Sequence, residues 1–315
     1  MDLKEILDQY RQYYYLGNFQ KILELWNQTE DSNYGEYLLQ IDFLVARSII
    51  CLKELQPQNQ VQFNKKPSSQ LMICAQIASK YLAPLISPCE LSVQDEDNQN
   101  KEIFIEFKEQ FQQNNQSIIH LIIGCYIAIQ VNDLSFFVQN EAKFKENFEL
   151  LYLYVVILVK NQKFEQAEKK LNELRKMNDD DVLTLLATIN YHICNEKYNE
   201  AVSYIDEIKE RFGDSTKILN IKVSCLMMLQ KWQEAYLLCE KLYQALASKQ
   251  NLLDRSEVEV CFSNLIVISE ILDKPTVEHF QRLEQVNNFC FYVKNYYEMK
   301  KTYMEFSDKL SLKTQ

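Results

Sequence analysis

Apolar residues recur along this chain at the three- and four-residue spacing of amphipathic helices, and the pattern is itself repeated. The stretches KFEQAEKKLNEL, KYNEAVSYIDEI and KWQEAYLLCEKL begin at Lys163, Lys197 and Lys231, so that successive copies start 34 residues apart. A second apolar stretch of helical spacing precedes each copy, and a polar pair separates the two stretches. The spacing therefore predicts one hairpin of two helices per unit.

Each unit keeps the same residue types at equivalent positions. An aromatic residue opens the second helix and is expected to fill the space between neighbouring helices, and an alanine three residues later marks a close approach of two helices. The structural repeat positions are Phe164, Ala167, Tyr198, Ala201, Trp232 and Ala235. A single hairpin cannot bury its apolar face, whereas stacked hairpins bury a continuous one.

The 34-residue unit with its turn, aromatic residue and alanine resembles the tetratricopeptide repeat, although the glycine near the turn and the closing proline of that repeat are missing from all three units. We predict an all-α fold, an α-solenoid of tetratricopeptide-like helical hairpins wound as a right-handed superhelix over 1–315. The predicted divisions are irregular hairpins in 1–147 with polar loops near 56–69 and 87–100, regular repeats at 148–181, 182–215 and 216–249, and terminal helices in 256–306.

Composition and charge narrow the possible functions. The chain has 4 Gly and 5 Pro in 315 residues, which favours helix over sheet, and its formal net charge is −10. Phosphate binding needs clustered Lys and Arg, so nucleic acid is excluded as a main partner. The apolar runs from Ser117 and Phe148 are shorter than the ~20 residues of a membrane-spanning helix. With no signal peptide and nine isolated cysteines, we expect a cytoplasmic protein whose thiols behave as small buried apolar groups.

The chain offers little catalytic chemistry. His120, His192 and His279 lie in different predicted hairpins, no second ligand pair stands at zinc spacing, and no glycine-rich phosphate loop is present. The acidic run Asp179 to Asp181 and the pair Asp214-Ser215 stand where helices begin, so we interpret them as helix caps. We predict no catalytic residues, no cofactor and no metal.

The first helices of such a solenoid line its inner wall. The predicted partner-binding wall consists of Tyr152, Val156, Val159, Leu186, Asn190, Ile193, Asn220, Met227 and Met228. This wall is largely apolar and lacks the Lys and Arg side chains that clamp a terminal carboxylate, so it favours a permanent protein partner. Two aromatic groups are left open between interface and core: Tyr10, Tyr13, Tyr14 and Tyr15, and Phe289, Phe291, Tyr292, Tyr296 and Tyr297.

Four phrases carry a closer resemblance: LGNFQKILE, DDDVLTLLAT, LMMLQKWQEA and NLIVISEILDKP. In their order and spacing they resemble the epsilon-subunit family of coatomer, except between Pro57 and Gln116. The resemblance implies a non-catalytic structural subunit of the COPI vesicle coat that binds and stabilises the C-terminal domain of the alpha subunit. It also implies assembly with the rest of the coatomer complex, peripheral attachment to Golgi membranes and COPI vesicles through the coat, and a role in Golgi-to-ER and intra-Golgi transport.

Two other classes stay open at this point. A soluble tetratricopeptide adaptor or co-chaperone would be a stable monomer that binds peptide segments weakly. An enzyme with an unrecognised site would need a polar pocket, which the predicted wall does not supply.

Overall fold

The computed structural model describes residues 3–29, 37–55, 68–86, 93–113, 117–145, 147–247, 255–286 and 290–311. Within these ranges every regular element is a helix. In chain order the helices are α1 (Leu3–Tyr15), α2 (Phe19–Gln28), α3 (Leu38–Leu55), α4 (Ser69–Tyr81), α5 (Ala83–Ile86), α6 (Val93–Gln113), α7 (Ile118–Gln130), α8 (Leu134–Asn140), a short 3-10 helix (Glu141–Lys143), α9 (Phe148–Lys160), α10 (Phe164–Met177), α11 (Val182–Cys194), α12 (Tyr198–Phe212), α13 (Thr216–Met228), α14 (Trp232–Ala247), α15 (Arg255–Ile271), α16 (Val277–Val286) and α17 (Phe291–Ser311).

The regular repeats fold as stacked hairpins. Their first helices begin at Phe148, Val182 and Thr216, again 34 residues apart. Each first helix packs against its own second helix, and each second helix packs against the next first helix. The predicted α-solenoid of helical hairpins is confirmed.

The same backbone turn joins the two helices of each regular hairpin. The N–H of Lys163 donates to the carbonyl of Leu158 at 2.9 Å, and the N–H of Gln162 donates to that of Val159 at 2.9 Å. This pair of backbone hydrogen bonds is typical of a helix that ends at a residue with left-handed backbone conformation. The left-handed residues are Gln162, Glu196 and Gln230, with φ of 56°, 59° and 58°. The turn geometry of the repeat is therefore kept without its glycine, at a cost in backbone strain.

In two earlier hairpins, the left-handed turn position is occupied by a residue type that adopts this conformation more readily. Gly17 has a φ of 77° and joins α1 to α2, so that the left-handed position is filled there by the residue that tolerates it. Asn132, at φ 57°, occupies the same place between α7 and α8. The helix pairs α1–α2 and α7–α8, both within the irregular region 1–147, are thus hairpins with the same turn.

The three repeat alanines, Ala167, Ala201 and Ala235, are completely buried, as close helix approach requires. The buried apolar side chains form two clusters that meet at α13. Ile218 and Cys225 of α13 belong to the larger, N-terminal cluster, whereas Val223 and Leu226 belong to the smaller, C-terminal one. One helix therefore connects the cores of the two ends.

The loop predicted near 87–100 is wrong from residue 93 onwards, because α6 begins at Val93 and includes the acidic QDEDNQN stretch. No Gly or Pro interrupts 93–113, and Phe104, Phe107 and Phe111 are buried at helical spacing. The first half of α6 is polar, and these three rings anchor the helix to the core. The predicted loop at 56–69 falls mostly outside the described residues.

The two long apolar runs are buried helices, α7 and α9, as predicted. Among the described residues, no helix is long and apolar enough to cross a membrane. Seven of the described cysteines are buried, but Cys194 is exposed, so the expectation of buried thiols is wrong at that position. Cys194 is the last residue of α11, beyond the stretch of that helix that neighbouring elements cover.

Candidate partner-binding surface

The predicted wall residues differ in exposure. Val159, Leu186 and Asn220 are buried within the chain, Tyr152, Val156, Asn190, Ile193 and Met227 are half-buried, and Met228 is exposed. Asn220 is used internally, because its side-chain amide donates to the backbone carbonyl of Glu257 at 2.9 Å and to its carboxylate at 2.8 Å. Val159, Leu186 and Asn220 therefore stabilise the packing of the chain itself.

The chain itself covers one end of the wall. α1 packs against α11, and the ring of Tyr15 meets that of Tyr152 edge to face, with centroids 5.2 Å apart. The hydroxyl of Ser215 donates to the carbonyl of Leu16 at 2.6 Å and makes no cap bond to α13, which corrects the capping role expected for it. The N-terminal ends of α9, α11 and α13 therefore lie beneath the chain's own first hairpin.

A buried ion pair fastens this cover. Arg47 Nη1 of α3 lies 2.5 Å from Glu149 Oε1 at the start of α9, and both side chains are almost wholly inaccessible. The hydroxyl of Tyr15 donates to the same oxygen at 2.5 Å, and Arg47 also donates to the hydroxyl of Tyr126. Burial raises the pKa of the Tyr15 phenol well above its ordinary value, so this side chain stays a neutral donor.

Aromatic rings complete the environment of Arg47. Its guanidinium carbon lies 4.1 Å from the centroid of the Tyr14 ring and 4.6 Å from that of Tyr126. Sequence reasoning missed this cluster, although each partner is the one charge in an apolar run, FLVARSIICL for Arg47 and FELLYLYVV for Glu149. A charge in such a run is buried only when it is paired, and this rule would have predicted that each has a partner.

The cluster decides part of the question left open about the aromatic groups. Tyr10 and Tyr15 are buried, and Tyr13 and Tyr14 pack partly against the core, so the N-terminal group belongs to the fold. In the C-terminal group, Tyr292 is half-buried whereas Tyr296 and Tyr297 are exposed. Phe289 and the side chain of Phe291 lie outside the described residues.

The cover ends before α15. Glu149 and Leu183 occupy equivalent positions near the starts of α9 and α11, and both are buried. The residue at the same distance before the turn of α15 is Val260, which is 43% exposed. Ile271 ends α15 as Met228 ends α13, and these two side chains are 47% and 60% exposed. The inner face is thus open toward the C-terminal ends of the helices and along α15.

We call this surface the open wall and define it as Val156, Asn190, Ile193, Met227, Met228, Val260 and Ile271. All of these side chains are aliphatic or thioether except the amide of Asn190, and none of them is charged. Exposed apolar side chains on a curved helical face are typical of a protein-binding surface. Met227 and Met228 add adaptability, because the thioether chain changes rotamer at little cost.

The histidines and acidic residues singled out in the sequence do not form a shared site in the part of the chain that the structure describes. No three His, Cys, Asp or Glu side chains there could hold a metal ion together. His120 pairs with the Ser117 hydroxyl at 2.7 Å, and His192 stacks on Tyr204 with ring centroids 5.5 Å apart. Asp181 caps α11 as expected, because its carboxylate accepts from the N–H of Leu183 at 2.8 Å.

Comparisons with known proteins agree with the fold and add a family. A family model described as the coatomer epsilon subunit matches residues 3–312. Coatomer subunit epsilon-2 of Arabidopsis thaliana is 26% identical over 281 residues, which cover 87% of this chain and 86% of the relative. Coatomer subunit epsilon of Dictyostelium discoideum is 24% identical over 239 residues, covering 73% and 76%.

Among solved structures, a tetratricopeptide repeat protein from Parabacteroides merdae ATCC 43184 superposes with a TM-score of 0.52. It covers 89% of this chain and 97% of its own, at 12% sequence identity. A likeness at that identity shows the fold alone, which is the helical-hairpin solenoid already seen in the helix order.

Proposed function

The chain belongs to the coatomer epsilon subunit family, and from that membership we propose that it binds and stabilises the C-terminal domain of the alpha subunit. The family consists of structural components of the COPI coat, and membership in the coatomer complex follows from it. The finer proposal names the partner domain and the surface that receives it. The observation that carries it is the open wall, where Met228, Val260 and Ile271 are exposed and Val156, Ile193 and Met227 are half-buried.

An apolar surface of this kind suits a permanent partner. Burying its apolar side chains removes apolar area from water at about 25 cal/mol per Å². A transient peptide tail held by its carboxylate would instead call for Lys and Arg on the wall. The proposed role is therefore that of a non-catalytic scaffold, stabilised by its partner and stabilising it in turn.

At the level of the cell, we propose that the protein is cytoplasmic and reaches Golgi membranes and COPI vesicles only as part of the coat. Its net charge of −10 disfavours unaided docking on an anionic membrane surface. The transport steps served would be those of the coat, from Golgi to ER and between Golgi cisternae.

The test is to express the chain with the C-terminal domain of the alpha subunit from the same organism, then measure co-elution and melting temperature. We expect a one-to-one complex that melts at a higher temperature than either part. A stable chain that elutes separately from the alpha domain would contradict the proposal and favour a peptide adaptor.

Matched variants assign the surface. Met228→Asp and Ile271→Asp place a charge on the open wall and should weaken the complex at least tenfold. Leu237→Asp is the control, because Leu237 is also an exposed apolar residue but lies on α14, a second helix. Equal loss of binding in all three variants would place the contact surface elsewhere.

A further inference from the structure

The last helix, α17, has an apolar face of its own. At 3.6 residues per turn, its large apolar residues between 292 and 304 fall within an arc of about 160°. They are Tyr292, Val293, Tyr296, Tyr297, Met299, Tyr303 and Met304. Glu298 and Lys301 lie on the polar side of the helix. The arc is wide enough to pack against another helix.

Helix α16 partly covers the first half of this face. Val293 is 1% exposed, the ring of Tyr296 lies 4.3 Å from that of Phe280 on α16, and the hydroxyl of Tyr297 donates to Glu284 at 2.7 Å. Further along the helix, Met299 is 67% and Tyr303 72% exposed.

The difference follows from helix length. α16 has 10 residues and α17 has 21, so at 1.5 Å per residue they span about 15 Å and about 31 Å. The shorter helix therefore ends before the apolar face of the longer one does. Among the described residues, the contacts given for Tyr296 and Tyr297 are both made with α16.

We propose that the uncovered half of this face, which we call the α17 platform (Met299, Lys300, Tyr303 and Met304), binds an acidic amphipathic helix of another protein. α16 shows what the face accepts: a helix that presents an aromatic ring at Phe280 and, four residues later, a carboxylate at Glu284 that receives a tyrosine hydroxyl. The partner helix lies along α17 as an extension of α16.

Charge specifies the partner further. Lys300 stands in the middle of the apolar arc, with its Nζ 5.9 Å from the ring centroid of Tyr296 and 6.0 Å from that of Tyr297. No ion pair joins Lys300 to a carboxylate of the described residues. A helix that covers the platform must leave this ammonium group paired, so it brings a Glu or Asp to that position.

The same charge argues against a second copy of the chain. In a symmetric antiparallel pair centred on the exposed stretch 296–304, Lys300 would face Lys300, and each copy carries a net charge of −10. The net charge of −10 argues against docking on an anionic membrane. Both remain outcomes of the test.

The experiment places a photo-crosslinking benzoylphenylalanine at Tyr303 of the full-length chain in its own cells, followed by purification under denaturing conditions and mass spectrometry of the linked peptide. Benzoylphenylalanine at Glu298, which is exposed on the opposite side of the same helix, is the control. We expect position 303 alone to give an adduct, with a peptide whose sequence is amphipathic at helical spacing and acidic.

A charge reversal makes the test specific. Lys300→Glu should reduce the adduct at position 303 at least tenfold, whereas Lys301→Glu should leave it unchanged. An adduct with a second copy of this chain, an adduct with lipid, equal adducts at 298 and 303, or no adduct at all would overturn the inference.

This inference does not depend on the proposed function. Binding of the alpha domain is measured separately on the open wall, with Met228→Asp and Ile271→Asp. If those variants leave the alpha domain bound while Lys300→Glu abolishes the adduct, the wall assignment fails and the platform stands. The reverse pattern removes the platform and keeps the proposed function.

Discussion

Glycine at the left-handed turn positions should stabilise this solenoid. Gln162, Glu196 and Gln230 each have a φ between 56° and 59° and each is exposed. A left-handed conformation costs a residue with a Cβ roughly 1–2 kcal/mol, and glycine avoids that cost. Glycine loses about 0.5–1 kcal/mol through the greater freedom of the unfolded chain. The net gain expected is about 0.5–1 kcal/mol for each turn.

The triple variant Gln162→Gly, Glu196→Gly and Gln230→Gly should therefore gain about 2 kcal/mol in free energy of unfolding. With an unfolding entropy of about 2 cal/mol/K per residue, that gain corresponds to a rise of roughly 3 °C in melting temperature for 315 residues. The backbone hydrogen bonds of the turns survive, because glycine keeps its N–H and its carbonyl. Equilibrium unfolding in urea measures the change, with an unchanged m-value as the check that the unfolding transition is the same.

Lys197→Gly is the matched control. Lys197 is exposed in the same turn as Glu196, but its φ is −90°, so glycine there loses chain entropy and relieves no strain. This variant should lose about 0.5–1 kcal/mol. If the triple variant is less stable than the original chain, or if Glu196→Gly and Lys197→Gly shift stability in the same direction, the strain argument is refuted.

Three further predictions concern the core and its titration. Arg47→Met should destabilise the fold by about 3–5 kcal/mol, because it leaves the buried Glu149 carboxylate without its ion partner, and the double variant with Glu149→Leu should recover much of the loss in a double-mutant cycle. Burial raises the pKa of Asp181 to about 6. Because the folded pKa lies above the unfolded one, the free energy of unfolding should fall as pH rises from about 4 to 6. The variant Asp181→Asn still caps α11, so in urea titrations it should remove this pH dependence and gain about 2 kcal/mol at pH 7. Ala201→Leu should cost about 1–3 kcal/mol by forcing α11 and α12 apart, and unchanged thermal stability would contradict the close approach seen there.

The repeats show how far sequence reasoning reaches in this protein. The hairpins over 148–247 follow from a pattern that is local, since an aromatic residue, an alanine three positions later and two apolar stripes are enough to define each unit. The helices begin at the residues that the 34-residue spacing implies. The family resemblance carried by short phrases was confirmed by the family model, which matches residues 3–312.

The irregular half was harder to predict because its contacts are distant in sequence. Arg47 and Glu149 are separated by 102 residues, and nothing in either local pattern names the other. α6 looked like a loop because its first turns are polar, and only the burial of Phe104, Phe107 and Phe111 further along holds it as a helix on the core. The wall assignment stays a prediction for the exposed residues, while Leu186 is already buried by its neighbours.

The sequence by itself determined the repeating unit, the helical class and the family, because period and residue type are properties of a local stretch. Tertiary structure alone decided which part of the inner face is free. The first hairpin folds back over the starts of α9, α11 and α13, and α16 stops halfway along α17. Both outcomes depend on which distant surfaces meet and on how long the covering helices are. A hydrophobic pattern predicts that a helix face is buried, but it does not predict which segment buries it.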